Sequence, residues 1–314
     1  MASPTATATP YRHYIQPEAD AEFPAEAGRY HLYLSYPCPF ACRALAARNL
    51  KGLEDIVSIS IVHPVFQRTK PDDANDEHKG WTFVDPSMQP TFAGYDGKEY
   101  LSEGCIPDTV LDTKYVRDIY EKVAPKEEGR RYANQKIVSS ESADILRTFN
   151  TGFRDLVPSN VDLVPEALVE EIEKMNAGVV DSLSSGFFKA AFIKDEESRA
   201  EVLASYFAHI QTVDETLAKS RFLVGDAITE SGIRLFHSLI RFDVIQRESD
   251  KFQLSQYPNV VNYLRNLYQT PALKDTVSWP HLKLMLANYL PNMSLTGPFI
   301  DYDAAHDRAT RSTN

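Results

Sequence analysis

The sequence predicts an α/β N-terminal domain followed by an all-α C-terminal domain, and three observations predict it. Near the N-terminus, strand, helix and strand patterns follow one another within about 35 residues. In the second half, apolar residues recur at helical spacing in one segment after another. Between the halves, the stretch DLVPSNVDLVP (155–165) carries two prolines and no periodicity, which is typical of a linker.

The first unit is a strand, a helix and a second strand. The segment RYHLYLS (29–35) alternates between apolar and polar residues, as a half-buried strand does. Pro39 then opens a helical pattern that ends near Gly52, and DIVSISIV (55–62) is rich in β-branched residues. Such a βαβ unit predicts two parallel strands with a right-handed crossover, as in ~98% of cases.

The rest of the first half predicts less regular structure. Residues 63–113 contain clusters of Pro, Gly and Asp and are predicted to be a long insertion with little regular periodicity. TKYVRDIYEKV (113–123) is predicted to be a helix. KIVSSESADILRTFN (136–150) is predicted to form a short strand, a turn and a helix that starts around Glu141 and Ser142.

Four amphipathic helices are predicted in the second half, because apolar residues repeat at helical spacing in each of them. They are EALVEEIEKMNAGVVDSL (166–183), SRAEVLASYFAHIQTVDETLAKS (198–220), SGIRLFHSLIRFDVIQ (231–246) and NVVNYLRNLYQ (259–269). The predicted organisation is an N-terminal arm (1–28), an α/β domain (29–150), a linker (151–165), an all-helical domain (166–290) and a C-terminal tail (291–314).

Composition excludes several classes of function. The 314 residues carry a formal net charge of −11 and no basic cluster, so neither nucleic acid nor an anionic membrane surface is a predicted partner. No apolar run approaches the roughly 20 residues of a membrane span, and MASPTATATP does not resemble a secretory signal. Three cysteines form no disulfide framework, which predicts a reducing, cytoplasmic compartment. No metal-ligand spacing, P-loop or GxGxxG occurs, so no metal site is predicted.

Cys38 is the strongest candidate for chemistry. In YLSYPCPFACRALAARNL (33–50) it falls at the N-cap of the first helix, with Pro39 at the first helical position. A helix N-terminus carries partial positive charge, and a cysteine there ionises more readily than a free thiol. Arg43, one turn later, could support a thiolate. The alternative is a small buried residue, but the position favours function. Cys42 is predicted to lie in the core, and Cys105 has no functional context.

An ordered set of motifs carries a family resemblance over roughly residues 29–283. The motifs are YLSYPCPFACR, LKGLEDIVSISIVHPV, GWTF, CIPDT, KYVRDIY, SSES, FLVGDAITESGIRLF, LIRFDVI and YPNVVNYLRNLYQTP. In this order they resemble the xi class of the glutathione transferase superfamily, the omega-like glutathionyl-hydroquinone reductases. The resemblance implies a thioredoxin-like N-terminal domain, glutathione as co-substrate, an aromatic (quinol-like) small-molecule substrate and a homodimer.

The resemblance also implies roles for individual residues. Cys38 would be the nucleophile that takes glutathione from a substrate as a mixed disulfide, which a second glutathione resolves. Trp81 and Arg117 would line the glutathione site, and Glu141 and Ser142 would hold the γ-glutamyl end. The alternatives are a core aromatic residue for Trp81, a solvated helix residue for Arg117, and a simple helix cap for Glu141 and Ser142.

One departure from the family concerns the N-terminal sheet. The family has a strand with a cis-proline between the helix at 113–123 and the SSES turn, and its backbone pairs with glutathione. Here the interval is APKEEGRRYANQ (124–135), which has no apolar run. The central third strand is therefore predicted to be missing. Either QKIVSS (135–140) occupies its place, or a gene-model error has removed the segment.

Three further departures follow, two in the substrate pocket and one at the start of a helix. Phe188 of GFFKAAF stands where the family has a tyrosine, and HLKLMLA (281–287) lacks two phenols, which leaves His281 and Met285 as candidate pocket residues. The box TESG (229–232) lacks its capping carboxylate, although Thr229 is still expected to cap.

A more apolar pocket predicts a glutathione-dependent transferase or thiol reductase that acts on a bulkier aromatic metabolite. Two alternatives remain open. One is an isomerase, lyase or dehydratase of aromatic secondary metabolism. The other is a non-catalytic binding protein of the same fold.

Overall fold

The structure is a computed structural model, and it describes residues 11–123, 136–193, 195–289, 295 and 297–311. Within these ranges, no helix is both long enough and apolar enough to cross a membrane.

The predicted βαβ unit is confirmed. Strand β1 (Tyr30–Leu34) runs parallel to β2 (Val57–Ile61), with Tyr30 opposite Val57 and Leu34 opposite Ile61. Helix α1 (Pro39–Leu50) connects them. The guanidinium of Arg48, in the last turn of α1, donates to the carbonyl of Val57 at 2.6 Å. The end of the helix is thereby fastened to the strand that follows it.

The insertion holds more regular structure than its sequence predicts. It forms two short antiparallel hairpins, and α2 then follows. These elements are β3 (Gln67–Arg68) with β4 (Lys79–Gly80), β5 (Thr91–Ala93) with β6 (Glu99–Leu101), and α2 (Val116–Val123). Strands of two or three residues are too short to produce an alternating pattern, which explains why the sequence does not reveal them.

The segment before α3 (Ser142–Thr151) pairs with the N-terminal arm. The amide of His13 donates to the Val138 carbonyl at 3.0 Å, and the Ser140 amide donates to the Tyr11 carbonyl at 3.1 Å. The alternative in which QKIVSS occupies the place beside β1 is not seen among its described residues, 136–140, which pair with the arm and not with β1. The interval 124–135 lies outside the described residues, and in the part of the chain that is described β1 has β2 as its strand partner.

The second half is helical, as predicted. The segment 166–192 is a nearly continuous helix that passes through one π-helical turn at Asn176–Val180. The helices are α4 (Val169–Met175), α5 (Asp181–Phe192), α6 (Glu196–Lys219), α7 (Glu230–Ile245), α8 (Pro258–Tyr268), α9 (Pro271–Lys274) and α10 (Trp279–Lys283).

Two predictions about α7 are wrong. The helix was expected to be amphipathic, but every residue of α7 except Arg234 is buried. The reason is its central place, because α1, α4, α5, α8 and α10 all pack around it. Thr229 was expected to cap the helix, but its side chain makes no capping hydrogen bond and its hydroxyl is buried without a partner in the described structure.

Both halves share one hydrophobic core. Leu32 and Leu45 of the βαβ unit belong to the same buried cluster as Leu239 and Leu264 of the helical half. Burying apolar surface supplies roughly 25 cal/mol per Å², so a shared core makes the two halves stabilise each other. The predicted linker therefore connects two regions that pack together over their apolar faces.

Candidate active site

The first helix presents Cys38 at its N-terminus. Cys38 is the N-cap, with φ −77° and ψ 112°, and Pro39 occupies the first helical turn. Its amide donates to the Ser35 carbonyl at 3.0 Å, and its carbonyl accepts from the Cys42 amide at 3.2 Å. The side chain is partly exposed and makes no capping bond within the described structure. The sulfur therefore sits at the positive end of α1, where a negative charge is stabilised.

A buried arginine that the sequence analysis missed holds the turn before Cys38. Arg241 of α7 donates to the carbonyls of Tyr36 and Pro37, the second at 3.0 Å, and to the Cys42 sulfur at 3.2 Å. Burial lowers the pKa of Arg241, and both cysteines oppose that shift. One signal was present in the sequence: an arginine inside the apolar run SLIRFDVI must find partners when it is buried.

Arg43 lies close to the thiol but is occupied by packing. Its guanidinium sits 4.6 Å from the centre of the Phe40 ring and donates to the Ser184 hydroxyl at 2.9 Å. Burial lowers the pKa of Arg43 to about 10, while an ionised Cys38 opposes the shift. Arg43 therefore contributes long-range positive charge and connects α1 with α5.

The other two cysteines are buried in the core. Cys42 is fully buried, and burial raises the pKa of its thiol to about 11. Burial raises the pKa of the Cys105 thiol to about 12. Neither thiol is ionised near neutrality, so among the cysteines Cys38 is the one suited to act as a nucleophile.

Glu141 and Ser142 lie at the start of α3. Glu141 is the N-cap, and its carboxylate accepts from the Ala143 amide at 3.2 Å. The Ser142 hydroxyl donates to the same carboxylate at 3.4 Å. Asp144, one turn further on, accepts two bonds from Arg12 at 2.7 and 2.9 Å and one from the Tyr14 hydroxyl at 2.7 Å. The arm therefore braces this helix start.

Trp81 and Arg117 are neighbours through the backbone, because the Val116 amide donates to the Trp81 carbonyl at 3.1 Å. Trp81 is 37% exposed, so the residue is partly accessible to solvent. The Arg117 guanidinium pairs with Asp76 at 2.6 Å and with Glu121 at 2.8 Å. Both partners raise the pKa of Arg117. Arg117 is thus committed to an ion-pair network beside Trp81.

The predicted pocket residues are not brought together at an open surface. His281 is 1% exposed, its Nε2 bonds to the Glu103 carbonyl at 2.7 Å, and its ring contacts Tyr36 edge to face. Met285 is buried in the main core. Phe188 belongs to α5, but its side chain lies outside the described part of the structure.

A partly exposed aromatic cluster, which the sequence does not reveal, joins residues from both halves of the chain. Phe66 contacts Trp81 at 5.3 Å and Tyr289 at 6.2 Å between ring centres, and Phe192 contacts Tyr289 at 5.2 Å. We call these four residues the aromatic wall. The wall includes the phenol of Tyr289, which is 56% exposed.

The model of the glutathione S-transferase C-terminal domain matches residues 196–266. The chain is 33% identical to the glutathionyl-hydroquinone reductase YqjG of Escherichia coli K12, over 94% of this chain and 87% of the relative. It is 30% identical to the glutathionyl-hydroquinone reductase PcpF of Sphingobium chlorophenolicum, over 88% and 84%.

Solved structures agree with these relatives. A Xi class glutathione transferase from Natrialba magadii superposes with a TM-score of 0.79 at 33% identity, covering 96% of this chain and 89% of that one. The glutathione-bound structure of YqjG superposes with a TM-score of 0.78 at 32% identity, covering 95% and 96%.

Proposed function

The chain belongs to the xi class of glutathione transferases, and on that premise we propose that it is a glutathionyl-hydroquinone reductase-like enzyme with Cys38 as its nucleophile. It is a glutathione transferase-like enzyme with glutathione as co-substrate. The observation that carries the proposal is the place of Cys38, a partly exposed thiol at a helix N-terminus. The thiols of Cys42 and Cys105 are buried.

In the proposed reaction, the Cys38 thiolate attacks the sulfur of a glutathionyl thioether on an aromatic ring. A bond forms between the Cys38 sulfur and the glutathione sulfur, the carbon–sulfur bond breaks, and the ring carbon takes up a proton. The thiol of a second glutathione then cleaves this mixed disulfide. Oxidised glutathione leaves and the Cys38 thiolate is restored. Every electron pair is accounted for by the two glutathione sulfurs.

The site offers suitable groups for glutathione at the start of α3. We propose that Glu141 meets the ammonium of the γ-glutamyl end, and that Ser142 and the nearby amides meet its carboxylate. Trp81, which is partly exposed, is proposed to line the same site. Arg117 is proposed to act through its position next to Trp81, since Asp76 and Glu121 occupy its guanidinium.

Two structural features bear on how glutathione and the substrate would bind. We propose that the N-terminal half is a thioredoxin-like domain that lacks one strand, which would loosen the grip on glutathione. The aromatic wall supports an aromatic substrate, because ring stacking recognises flat molecules.

A cytoplasmic homodimer is part of the same proposal. The free thiols support a reducing compartment, and the xi-class resemblance supports the dimer.

Incubation with oxidised glutathione followed by intact-mass analysis tests the nucleophile. Wild-type protein and the matched control Cys105→Ala are expected to gain one glutathionyl group, whereas Cys38→Ser is expected to gain none. Unmodified wild-type protein, or Cys38→Ser modified to the same extent, would overturn the proposal. Turnover of a glutathionyl-hydroquinone should then be lost in Cys38→Ser and kept in Cys105→Ala.

A further inference from the structure

Lys79 shares one face of the first hairpin with two rings of the aromatic wall. In the hairpin of β3 and β4, Lys79 stands directly opposite Arg68, and residues opposite each other point to the same side. Phe66 lies two positions before Arg68, and Trp81 lies two positions after Lys79. Because side chains two apart on an extended chain share a face, both rings lie on the side of Lys79. Their contact at 5.3 Å agrees with this placement.

The side chain of Lys79 rests on Tyr95, in the turn of the second hairpin. The Lys79 ammonium lies 4.0 Å from the centre of the Tyr95 ring. The Tyr95 amide donates to the Phe66 carbonyl at 2.9 Å. The Tyr95 hydroxyl donates at 2.7 Å to the carbonyl of Asn288, the residue before Tyr289. Tyr95 is thus bonded to the backbone beside two members of the wall, and its ring holds the ammonium there.

The charge of Lys79 is available to a ligand. The other lysines and the arginine of the two hairpins have partners: Arg68 donates to the carbonyls of Asp73 and Asp76, Lys70 pairs with Glu121, and Lys98 pairs with Asp96. Within the described ranges, Lys79 has no carboxylate at ion-pair distance. A net charge of −11 repels anions, so an anionic ligand needs a local cation of this kind.

We propose that Lys79 selects aromatic substrates that carry a carboxylate on the ring, an inference that rests on the proposed function. The substrate ring would stack on the aromatic wall, and its carboxylate would accept a hydrogen bond from the Lys79 ammonium. The carboxylate takes no part in the bonds that form and break at Cys38. Lys79 therefore determines specificity by lowering KM for the acidic substrate, and kcat does not depend on it.

Two substrates that differ only in a ring carboxylate test the selection. For glutathionyl-dihydroxybenzoate, Lys79→Met is expected to raise KM about fivefold with kcat unchanged. For glutathionyl-hydroquinone, the same variant should keep both constants. Lys98→Met removes an exposed lysine of the second hairpin and is the matched control, with no change for either substrate. An unchanged KM for the acidic substrate in Lys79→Met, or an equal rise for both substrates, overturns the inference.

Charge and shape are separated by a conservative variant and by salt. Lys79→Arg keeps the positive charge, so its KM for glutathionyl-dihydroxybenzoate should stay close to that of wild type. High salt should raise this KM about threefold in wild type and should not raise it in Lys79→Met, because salt screens exposed charges. A merely structural role of Lys79 would give both proteins the same salt dependence, and that result would overturn the inference.

Binding of the free ring separates this inference from the proposed function, because it needs neither glutathione nor turnover. Calorimetry should show that wild type binds dihydroxybenzoate about fivefold more tightly than hydroquinone, and that Lys79→Met binds both alike. If wild type fails to turn over glutathionyl-hydroquinones, the proposed function fails, and these affinities still decide whether Lys79 selects a carboxylate.

Two calorimetric results would overturn the selection by Lys79. One is equal affinity of wild type for the two rings. The other is a Lys79→Met protein that loses affinity for glutathione and keeps its affinity for dihydroxybenzoate, because the ammonium would then serve a carboxylate of glutathione.

Discussion

The two halves of the molecule differ in what they leave accessible to solvent. In the helical half, Glu230 and Asp243 of α7 are completely buried; Arg147 of α3 donates to Glu230, and the Ile300 amide donates to Asp243. In the N-terminal half, Cys38 and Trp81 remain partly exposed, and neighbouring loops are braced by short hairpins. We call the helical half the frame, because the carboxylates buried in it are hydrogen-bonded. The N-terminal half carries Cys38 and Trp81, whose side chains remain accessible.

Three arginines connect the N-terminal half with the helical half. Arg43 of α1 donates to Ser184 of α5, and Arg147 of α3 pairs with Glu230 of α7 at 2.8 Å. Arg241 of α7 reaches back to the turn before Cys38. The N-terminus of α1 is thus fixed by contacts with the helical half, and substitutions in the helical half should affect the Cys38 thiol.

The largest effect is expected from removing a buried charge of the frame. Glu230 is 0% exposed and pairs with Arg147 at 2.8 Å and Arg234 at 3.2 Å. Glu230→Ala should lower the free energy of unfolding by about 3–5 kcal/mol, because two arginines lose their buried carboxylate partner. Each keeps one exposed carboxylate, Glu173 for Arg147 and Asp181 for Arg234. Urea denaturation measures this, with exposed Glu171→Ala as the control. A loss equal to that of the control would contradict the satisfied-frame description.

Arg241→Met tests whether the helical half supports the turn before Cys38. The Pro37 carbonyl and the Cys42 thiol lose a donor, which should cost about 2–3 kcal/mol of stability. Glutathionylation of Cys38 by oxidised glutathione should slow by about tenfold, because the turn that presents the sulfur is released. Arg154→Met, at an exposed position, is the control. Unchanged glutathionylation would show that the turn needs no support from α7.

The sequence predicted the elements whose formation depends on a few neighbouring residues. The β-branched run at 57–61, the proline at the start of α1 and the N-cap position of Cys38 are all readable from a few neighbouring residues. The burial of α7 was not, because the helices around it come from distant parts of the chain. The aromatic wall was missed for the same reason, because Tyr289 meets Phe66 and Phe192 only through tertiary contacts. The pairing of the arm with residues 138–140 likewise depends on the fold.

Arg12→Ala should have a moderate effect on the proposed glutathione site at Glu141 and Ser142. Asp144 would lose its two bonds from Arg12 and keep the one from the Tyr14 hydroxyl. Glutathione affinity, measured by calorimetry, is expected to fall about threefold. Lys136→Ala breaks an exposed pair with Glu22 in the same region and should leave affinity unchanged. Equal affinity in both variants would mean that the arm has no part in the site.

The pair of Arg12 and Asp144 should also make the stability of the protein depend on pH in acid. Its hydrogen bond is the main cause of the lowered pKa of Asp144. A lowered pKa contributes stability above the ordinary carboxyl range, and that contribution is lost as pH falls through the folded-state value. The difference in thermal stability between wild type and Arg12→Ala should therefore shrink in acid. A difference that stays constant down to pH 2 would contradict this account.

The smallest effect is expected at Asp243, where the frame buries a carboxyl. Burial raises its pKa to about 6 from 3.8, so the folded state favours the protonated form. Its share of stability is therefore lost as pH rises through 6, about 1 kcal/mol between pH 5 and pH 8. Asp243→Asn should remove that part of the pH dependence in thermal melts and leave the rest, which comes from the net charge of −11. An identical slope in both proteins would mean that Asp243 keeps its charge throughout, held by the amides of Phe299 and Ile300.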